Sequence, residues 1–362
     1  MKKIYFLILI SLLINCTDKL ATLNIKDALN NRIQNTYDLT SNVRILFGTL
    51  RRTGGSDASC SNSYYSNQLD TVDKFGYCEI SVPANHEVGS LDQDAKGKPD
   101  DFFKMESHKT LLNIEAVSAE VMKNEFPEAI VFVHGFNVKF EEAILRAAQI
   151  KYDLKFSGEV ILYTWPAGAD EGLLSALQLT TTYKNNQNNA KSSINSLKNF
   201  LSALEKTGKK IHLIVHSMGH QVAFPAIASL QNDLKKKFLY QSIFNAPDFD
   251  SEEFKKIKDS IIASSERSTI YCSPGDNALV ASSKVNSTRR VGSCEKFSGI
   301  DVINVNPVDA PVMGIAGLGH GYYSSKPILT ELYQVILGVD ASRRLFIRKS
   351  SEYNGENFVL RR

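Results

Sequence analysis

Net charge of either sign is nearly absent from this chain: 42 basic side chains stand against 39 acidic ones. The signs are interspersed, and the basic run Lys235-Lys236-Lys237 reads as a solvated helix end. Nothing in that balance supports a nucleic-acid partner. No Cys-x-x-Cys pair and no Cys/His cluster occurs, so no metal site and no cofactor are expected. His216 and His220 are spaced i, i+4, but the zinc-protease pattern also needs a glutamate after the first histidine, and Ser217 stands there. No internal repeat and no low-complexity tract is found, which excludes a solenoid. With 362 residues and 43% hydrophobic content the chain can bury one large core.

The apolar stretch 4–14 is too short to span a bilayer as a helix, which takes about 20 residues. Lys2 and Lys3 precede it, in the manner of a secretory signal. Leu13-Ile14-Asn15-Cys16 closes the stretch and resembles a bacterial lipoprotein cleavage site, with Cys16 as the lipidated residue; the alternative is an ordinary signal peptide cut a few residues on. The expected organisation is a signal peptide over 1–16, a polar tether over 17–42, a folded domain over 43–340 and a C-terminal tail over 341–362. The expected location is the cell envelope, at the outer membrane or cell surface, with the membrane reached through the lipid anchor. Export also frames the remaining cysteines, Cys60, Cys78, Cys272 and Cys294, an even number in a chain bound for an oxidising space. Local bridges Cys60–Cys78 and Cys272–Cys294 are the simple expectation; three pairings are formally possible, and free buried thiols are the alternative.

Two strands are expected over 43–50 and 77–82, separated by a loop rich in Gly, Ser and Asn. After Pro127 short apolar runs at 129–133, 160–164, 211–215, 239–244, 269–272 and 302–305 alternate with helical periodicity, as over 141–154 and 190–204. This alternation predicts an α/β fold with a mostly parallel sheet of about eight strands and helices on both faces. In the helix after the first run, Phe140, Ile144 and Ala147 or Ala148 share a face, while Glu141, Glu142 and Arg146 are left for water.

Active-site groups of such a sheet collect at the carboxyl ends of strands. The strand ending at Val215 runs into His216-Ser217-Met218-Gly219 and then a helical segment. A serine on such a turn stands clear of both elements and can attack a carbonyl. The strand ending at Val133 leads into His134-Gly135-Phe136-Asn137, where the Phe136 amide, with that of Met218, would form an oxyanion hole. His134 reads as a residue that orients this loop. Trp165, in Thr164-Trp165-Pro166, is either a pocket wall or core, and 173–182 either a cap or a plain buried helix. The acid and base should follow the serine in the order acid, then histidine. Asp248 and Asp276 both follow strand ends and compete as the acid, the loser capping a helix; His320, between glycines, is the general base. His86 and His108 carry no pattern of use.

At this point the chain resembles the α/β-hydrolase superfamily, and within it a bacterial α/β-hydrolase family of unknown function. The marks are Phe75-Gly76 leading into Ser81-Val82-Pro83-Ala84-Asn85-His86, His134-Gly135-Phe136-Asn137 with Phe140-Glu141 and Arg146-Ala147-Ala148-Gln149, and Thr164-Trp165-Pro166. They continue with His216-Ser217-Met218-Gly219, Ala246-Pro247-Asp248, Asp276-Asn277-Ala278-Leu279 and His320, so that the likeness covers about 43–337. The resemblance implies an α/β-hydrolase fold, a Ser217-His320-Asp276 triad with Asp248 as the alternative acid, and cleavage of carboxylic esters or acyl lipids. One residue departs from the superfamily: Val215 stands where glycine or alanine is usual, two residues before the nucleophile, which predicts a relaxed turn and weak activity. A different class of function, a surface lipoprotein using the fold as a binding module, is the competing expectation.

Overall fold

Long apolar strands buried on both faces form the centre of the molecule, a consequence of sequence runs that leave no polar position for solvent. In β4 (Glu128–Val133) and β5 (Glu159–Thr164) nearly every side chain is buried. Ile130 and Phe132 enter one core, while Ala129, Val131 and Val133 enter the other. The structure is a computed structural model describing residues 42–55, 57–91, 102–169, 176–306, 320–321, 324–350 and 356–361. The expected signal, Cys16 and most of the tether lie outside the described residues.

The remaining strands are β1 (Asn42–Thr53), β2 (Tyr65–Ser81), β3 (Lys104–Leu111), β6 (Lys210–His216), β7 (Leu239–Asn245), β8 (Ser265–Cys272), β9 (Asp301–Asn304), β10 (Ile347–Lys349) and β11 (Phe358–Leu360). All lie in one sheet of order β10-β11-β9-β8-β7-β6-β4-β5-β1-β2-β3. Pairing is parallel from β11 through β1 and antiparallel only at β10–β11, β1–β2 and β2–β3. The sheet therefore has 11 strands where about eight were expected. The unforeseen ones, β3, β10 and β11, sit at or near the edges; β3 is mostly polar with no fully buried position, and the other two have three residues each. Apolar-run reading has nothing to detect there. Residues beyond 340, read above as a tail, thus supply two strands of the sheet.

The helices are α1 (Ile114–Lys123), α2 (Phe140–Asp153), α3 (Ala176–Ser192), α4 (Ile194–Glu205), α5 (His220–Leu234), α6 (Ser251–Ser264), α7 (Asn277–Asn286) and α8 (Lys326–Ile336). Phe140, Ile144 and Ala147 of α2 and Ile328, Leu332 and Val335 of α8 cover one face of the sheet. Leu197 and Phe200 of α4, Val222 and Ile227 of α5, and Phe254 and Ile261 of α6 cover the other. The expected helix over 190–204 is broken at Ser193, which separates α3 from α4. The described part of 173–182 is helical but exposed from Gln178 to Leu179, so it is not a buried helix; α3 is held instead by Tyr183, Asn186 and Ala190, at helical spacing.

From β4 the chain moves to β5 on one side and to β6 on the other, so the strand order reverses between β4 and β6. Such a reversal opens a crevice at the carboxyl ends of the two strands, because their connections leave over opposite faces. The crevice is bounded by the segments after Val133 and His216.

Both cysteine pairs form as the local bridges: Cys60–Cys78 and Cys272–Cys294. Cys272 ends β8, and its bridge ties that end to the turn Val291–Ser293. The turn in turn bonds to Pro247 through the Gly292 amide at 2.9 Å. Replacing Cys272 and Cys294 together by alanine is expected to lower unfolding stability by about 3 kcal/mol, the loop-closure value for a bridge of this span. Urea denaturation of the oxidised protein measures it; an unchanged midpoint would show that the bridge does not constrain the chain.

Candidate active site

Ser217 sits at the amino end of a 3-10 turn, Ser217–Gly219, wedged between β6 and α5. Its φ is 52°, in the left-handed region that costs a side-chain-bearing residue on the order of 1 kcal/mol. The surroundings hold it there. The Ser217 carbonyl accepts from the Asp248 amide at 3.2 Å and from His220 Nδ1 at 2.7 Å. A Cβ on Gly135 would lie 2.8 Å from Ser217 Cβ, and one on Gly219 would lie 2.5 Å from the His134 carbonyl oxygen. Glycine is required at both positions because the space a Cβ would need is taken, at 135 by Ser217 Cβ and the His216 ring and at 219 by the His134 backbone. The relaxed turn expected from Val215 is therefore not found: Val215 is buried in the core beside Met218 and Val222, and the turn keeps its left-handed serine.

His320 Nε2 lies 2.6 Å from Ser217 Oγ, and His320 Nδ1 lies 2.6 Å from Asp276 Oδ2. With Nδ1–H donating to the carboxylate, Nε2 carries the lone pair that accepts the serine hydroxyl proton. The three groups are shielded from water: Ser217 is 4% exposed, and the side chains of His320 and Asp276 are 12% and 0% exposed. Asp276 has two duties. Its Oδ1 caps α7, accepting from the amides of Ala278 and Leu279 at 3.0 and 3.1 Å, while Oδ2 holds the histidine.

Asp248 is close but committed elsewhere. Its carboxylate accepts from Tyr183 Oη at 2.9 Å and Ser282 Oγ at 2.5 Å, and Arg290 Nε lies 3.2 Å away. Burial, with Asp248 beside it, pushes the Tyr183 phenol above its ordinary range, so it stays a donor. The expectation that the unused acid caps a helix is corrected: Asp250 caps α6, Asp276 caps α7, and Asp248 joins α3 to α7 through Tyr183 and Ser282.

The loop carrying Phe136 is fixed by groups that sequence reading passed over. Arg51, fully buried in β1, donates through Nε to Thr164 Oγ1 at 3.0 Å and through its terminal nitrogens to the carbonyls of Ala167, Val138 and Ser66. Burial pulls this guanidinium down to about 9, still charged at neutral pH. The Gly135 carbonyl, 3.0 Å from His134 Nδ1, can only accept, so the single proton of the neutral ring sits on Nδ1; Nε2 is then an acceptor, and the Thr164 hydroxyl, which accepts from Arg51, donates to it at 2.8 Å. Trp165 stacks on His134 and donates to its carbonyl at 2.9 Å; it is core, not a pocket wall. Arg51 had a legible signal: it continues the inward-facing series Val43, Ile45, Phe47, Thr49 of β1.

The other histidines do not converge. His212 meets Glu128, His220 meets the Ser217 carbonyl, and His216 Nε2 lies 3.3 Å from the His320 carbonyl oxygen. Among the described residues no group of three or more metal-ligating side chains occurs.

A doubly covered parallel sheet with its order reversal beneath a strained serine turn defines the class, an α/β hydrolase. The chain belongs to the family described as alpha/beta hydrolase of unknown function (DUF900), which matches residues 111–339. None of the curated proteins compared with the chain matches it.

Burial holds His134 and His220 at about 3, far below their ordinary 6.5. Below pH 6.5 the unfolded chain takes up protons at these positions while the folded chain does not, so stability falls as pH drops from 6.5 toward 3. The expected slope is up to about 1.4 kcal/mol per pH unit for each histidine. Denaturation at a series of pH values tests this; a flat stability between pH 6.5 and 4 would show that both imidazoles protonate in the folded state.

Proposed function

We propose that this protein is a serine hydrolase of the cell envelope that cleaves carboxylic esters or acyl lipids. The observation that carries the reading is the hydrogen-bonded row Ser217 Oγ, His320 Nε2, His320 Nδ1, Asp276 Oδ2 at the carboxyl end of the sheet. Ser217 Oγ attacks the acyl carbon as His320 Nε2 takes its proton, and the tetrahedral oxyanion is received by the Phe136 and Met218 amides, each worth about 3 kcal/mol to the transition state. His320 returns the proton to the departing alcohol. Water then enters, gives a proton to His320 and its oxygen to the acyl carbon, and collapse of the second intermediate restores the serine hydroxyl. Asp276 keeps the imidazole in the productive tautomer and offsets the charge of its protonated form.

A fluorophosphonate probe tests the nucleophile. Wild type is expected to label and Ser217→Ala not to; an unlabelled wild type beside a labelled control hydrolase would move the reading to a binding module. For the acid, Asp276→Asn is expected to lower kcat by about 10⁴. Asparagine caps a helix as well as aspartate does, so this substitution spares α7 and removes only the histidine's partner. Asp248→Asn is expected to act mainly on stability, and the opposite ranking of the two in an ester assay would transfer the role to Asp248. Esters of graded chain length then define the acyl preference.

Anchoring is the second part of the proposal. The basic pair Lys2-Lys3, the short apolar stretch and Cys16 support a lipidated amino terminus, and the two disulfides suit an oxidising space. Cys16→Ser is expected to abolish incorporation of a palmitate analogue and to release the protein from the membrane fraction. Retention of label in that variant would refute the anchor.

A further inference from the structure

Ser324 and Ser325, just after His320 in the chain, rest on a loop, residues 83–91, that has no part in the chemistry above. Gly89 makes the contact. With φ at +91°, Gly89 presses so close that a Cβ there would lie 2.2 Å from the Ser324 carbonyl oxygen and 3.4 Å from Ser325 Cα. Ser324 in turn is bonded to the residue after the histidine, its Oγ donating to the Gly321 carbonyl at 3.1 Å, and Ser325 stands at the N-cap position of α8.

Both polar backbone groups of Gly89 are held from α2. Its amide donates to Asp153 Oδ2 at 2.7 Å, and its carbonyl accepts from Arg146 Nη1 at 3.1 Å. The same arginine nitrogen donates to Gln149 Oε1 at 2.7 Å, and Gln149 Nε2 donates to Asp153 Oδ2. Arg146, Gln149 and Asp153, at i, i+3 and i+7, form one stripe of the helix. Asp153 Oδ1 pairs with His86 Nε2 at 2.6 Å, with both side chains buried. The His86 ring is packed edge-on against Phe103 and Tyr152. The arginine expected to face water is therefore turned onto a loop, and the histidine without a pattern is its far anchor.

We propose that His86, Arg146, Gln149 and Asp153 are positioning residues for His320: they clamp Gly89 against Ser324 and so fix the imidazole between Ser217 and Asp276. The proposal rests on the reading of His320 as the base. Arg51 holds the loop after β4 in a comparable way, through the Val138 carbonyl and, by way of Thr164, His134.

Gly89→Ala and Asp153→Asn test it, with Gly208→Ala as the matched control, because Gly208 also has positive φ (+71°) but nothing within 4 Å of its would-be Cβ. Three quantities are measured on the oxidised protein: the thermal midpoint, the rate of fluorophosphonate labelling at Ser217, and the NMR signal of the His320 Nδ1 proton, assigned by its loss in His320→Gln. Both clamp variants are expected to label at least tenfold more slowly and to broaden or lose the Nδ1 proton signal, while Gly208→Ala keeps both readouts. On an ester, kcat is expected to fall with KM nearly unchanged. Asp153→Asn introduces no Cβ and keeps the side-chain volume, so it serves if Gly89→Ala does not fold. Folded variants with wild-type labelling and an unchanged proton signal would overturn the proposal. A wild type that takes no label defeats the hydrolase reading alone, since the proton signal still reports whether the clamp sets the histidine.

Discussion

One backbone angle organises this protein: the left-handed φ of Ser217. A residue with a side chain stays in that region only when its neighbours leave it no lower state. Here the neighbours are the Asp248 amide and the His220 ring on its carbonyl, and the glycines at 135 and 219 that admit the facing backbone. Each of these lies on a different element, so the order reversal of the sheet, the loop after β4, the start of α5 and the turn after β7 all meet at one peptide. Val215, the departure that predicted a slack turn, leaves the backbone of the turn unaltered because close approach falls on the two glycines.

Around that peptide the loops are secured by polar groups taken out of water. Arg51 is the clearest case: its guanidinium is spread over three carbonyls and a hydroxyl from three segments. A buried charge is costly unless its donors are satisfied, and the planar fork of arginine satisfies them in a way that lysine cannot. The Tyr183–Asp248–Ser282 group plays the corresponding part beneath α3.

What the sequence made legible follows from what leaves a pattern. Strands buried on both faces appear as apolar runs, so β4 to β7 and β9 were read to within a residue at either end, while the polar first half of β8, 265–268, was not. A serine after one run, an acid after another and a histidine between glycines could be ordered because the fold fixes where strand ends gather. Edge strands such as β3, with half-polar faces, and three-residue strands such as β10 and β11 leave no run to detect. Side-chain-to-backbone bonds are also silent, since a carbonyl acceptor has no letter. Arg146 and His86 act through a backbone carbonyl, a neighbouring amide or one remote carboxylate, and for that reason Arg146 read as a water-facing residue and His86 as an idle one.

Asp276 bears on how members of this family should be compared. One of its oxygens holds a helix and the other a histidine, so two independent selective reasons favour an acceptor at this place. A relative that has abandoned catalysis would still keep a residue able to cap α7, and serine, threonine or asparagine would do so. The presence of a polar residue there is consequently a poor witness to activity. Its negative charge is the informative trait, because the helix does not need it and the histidine does.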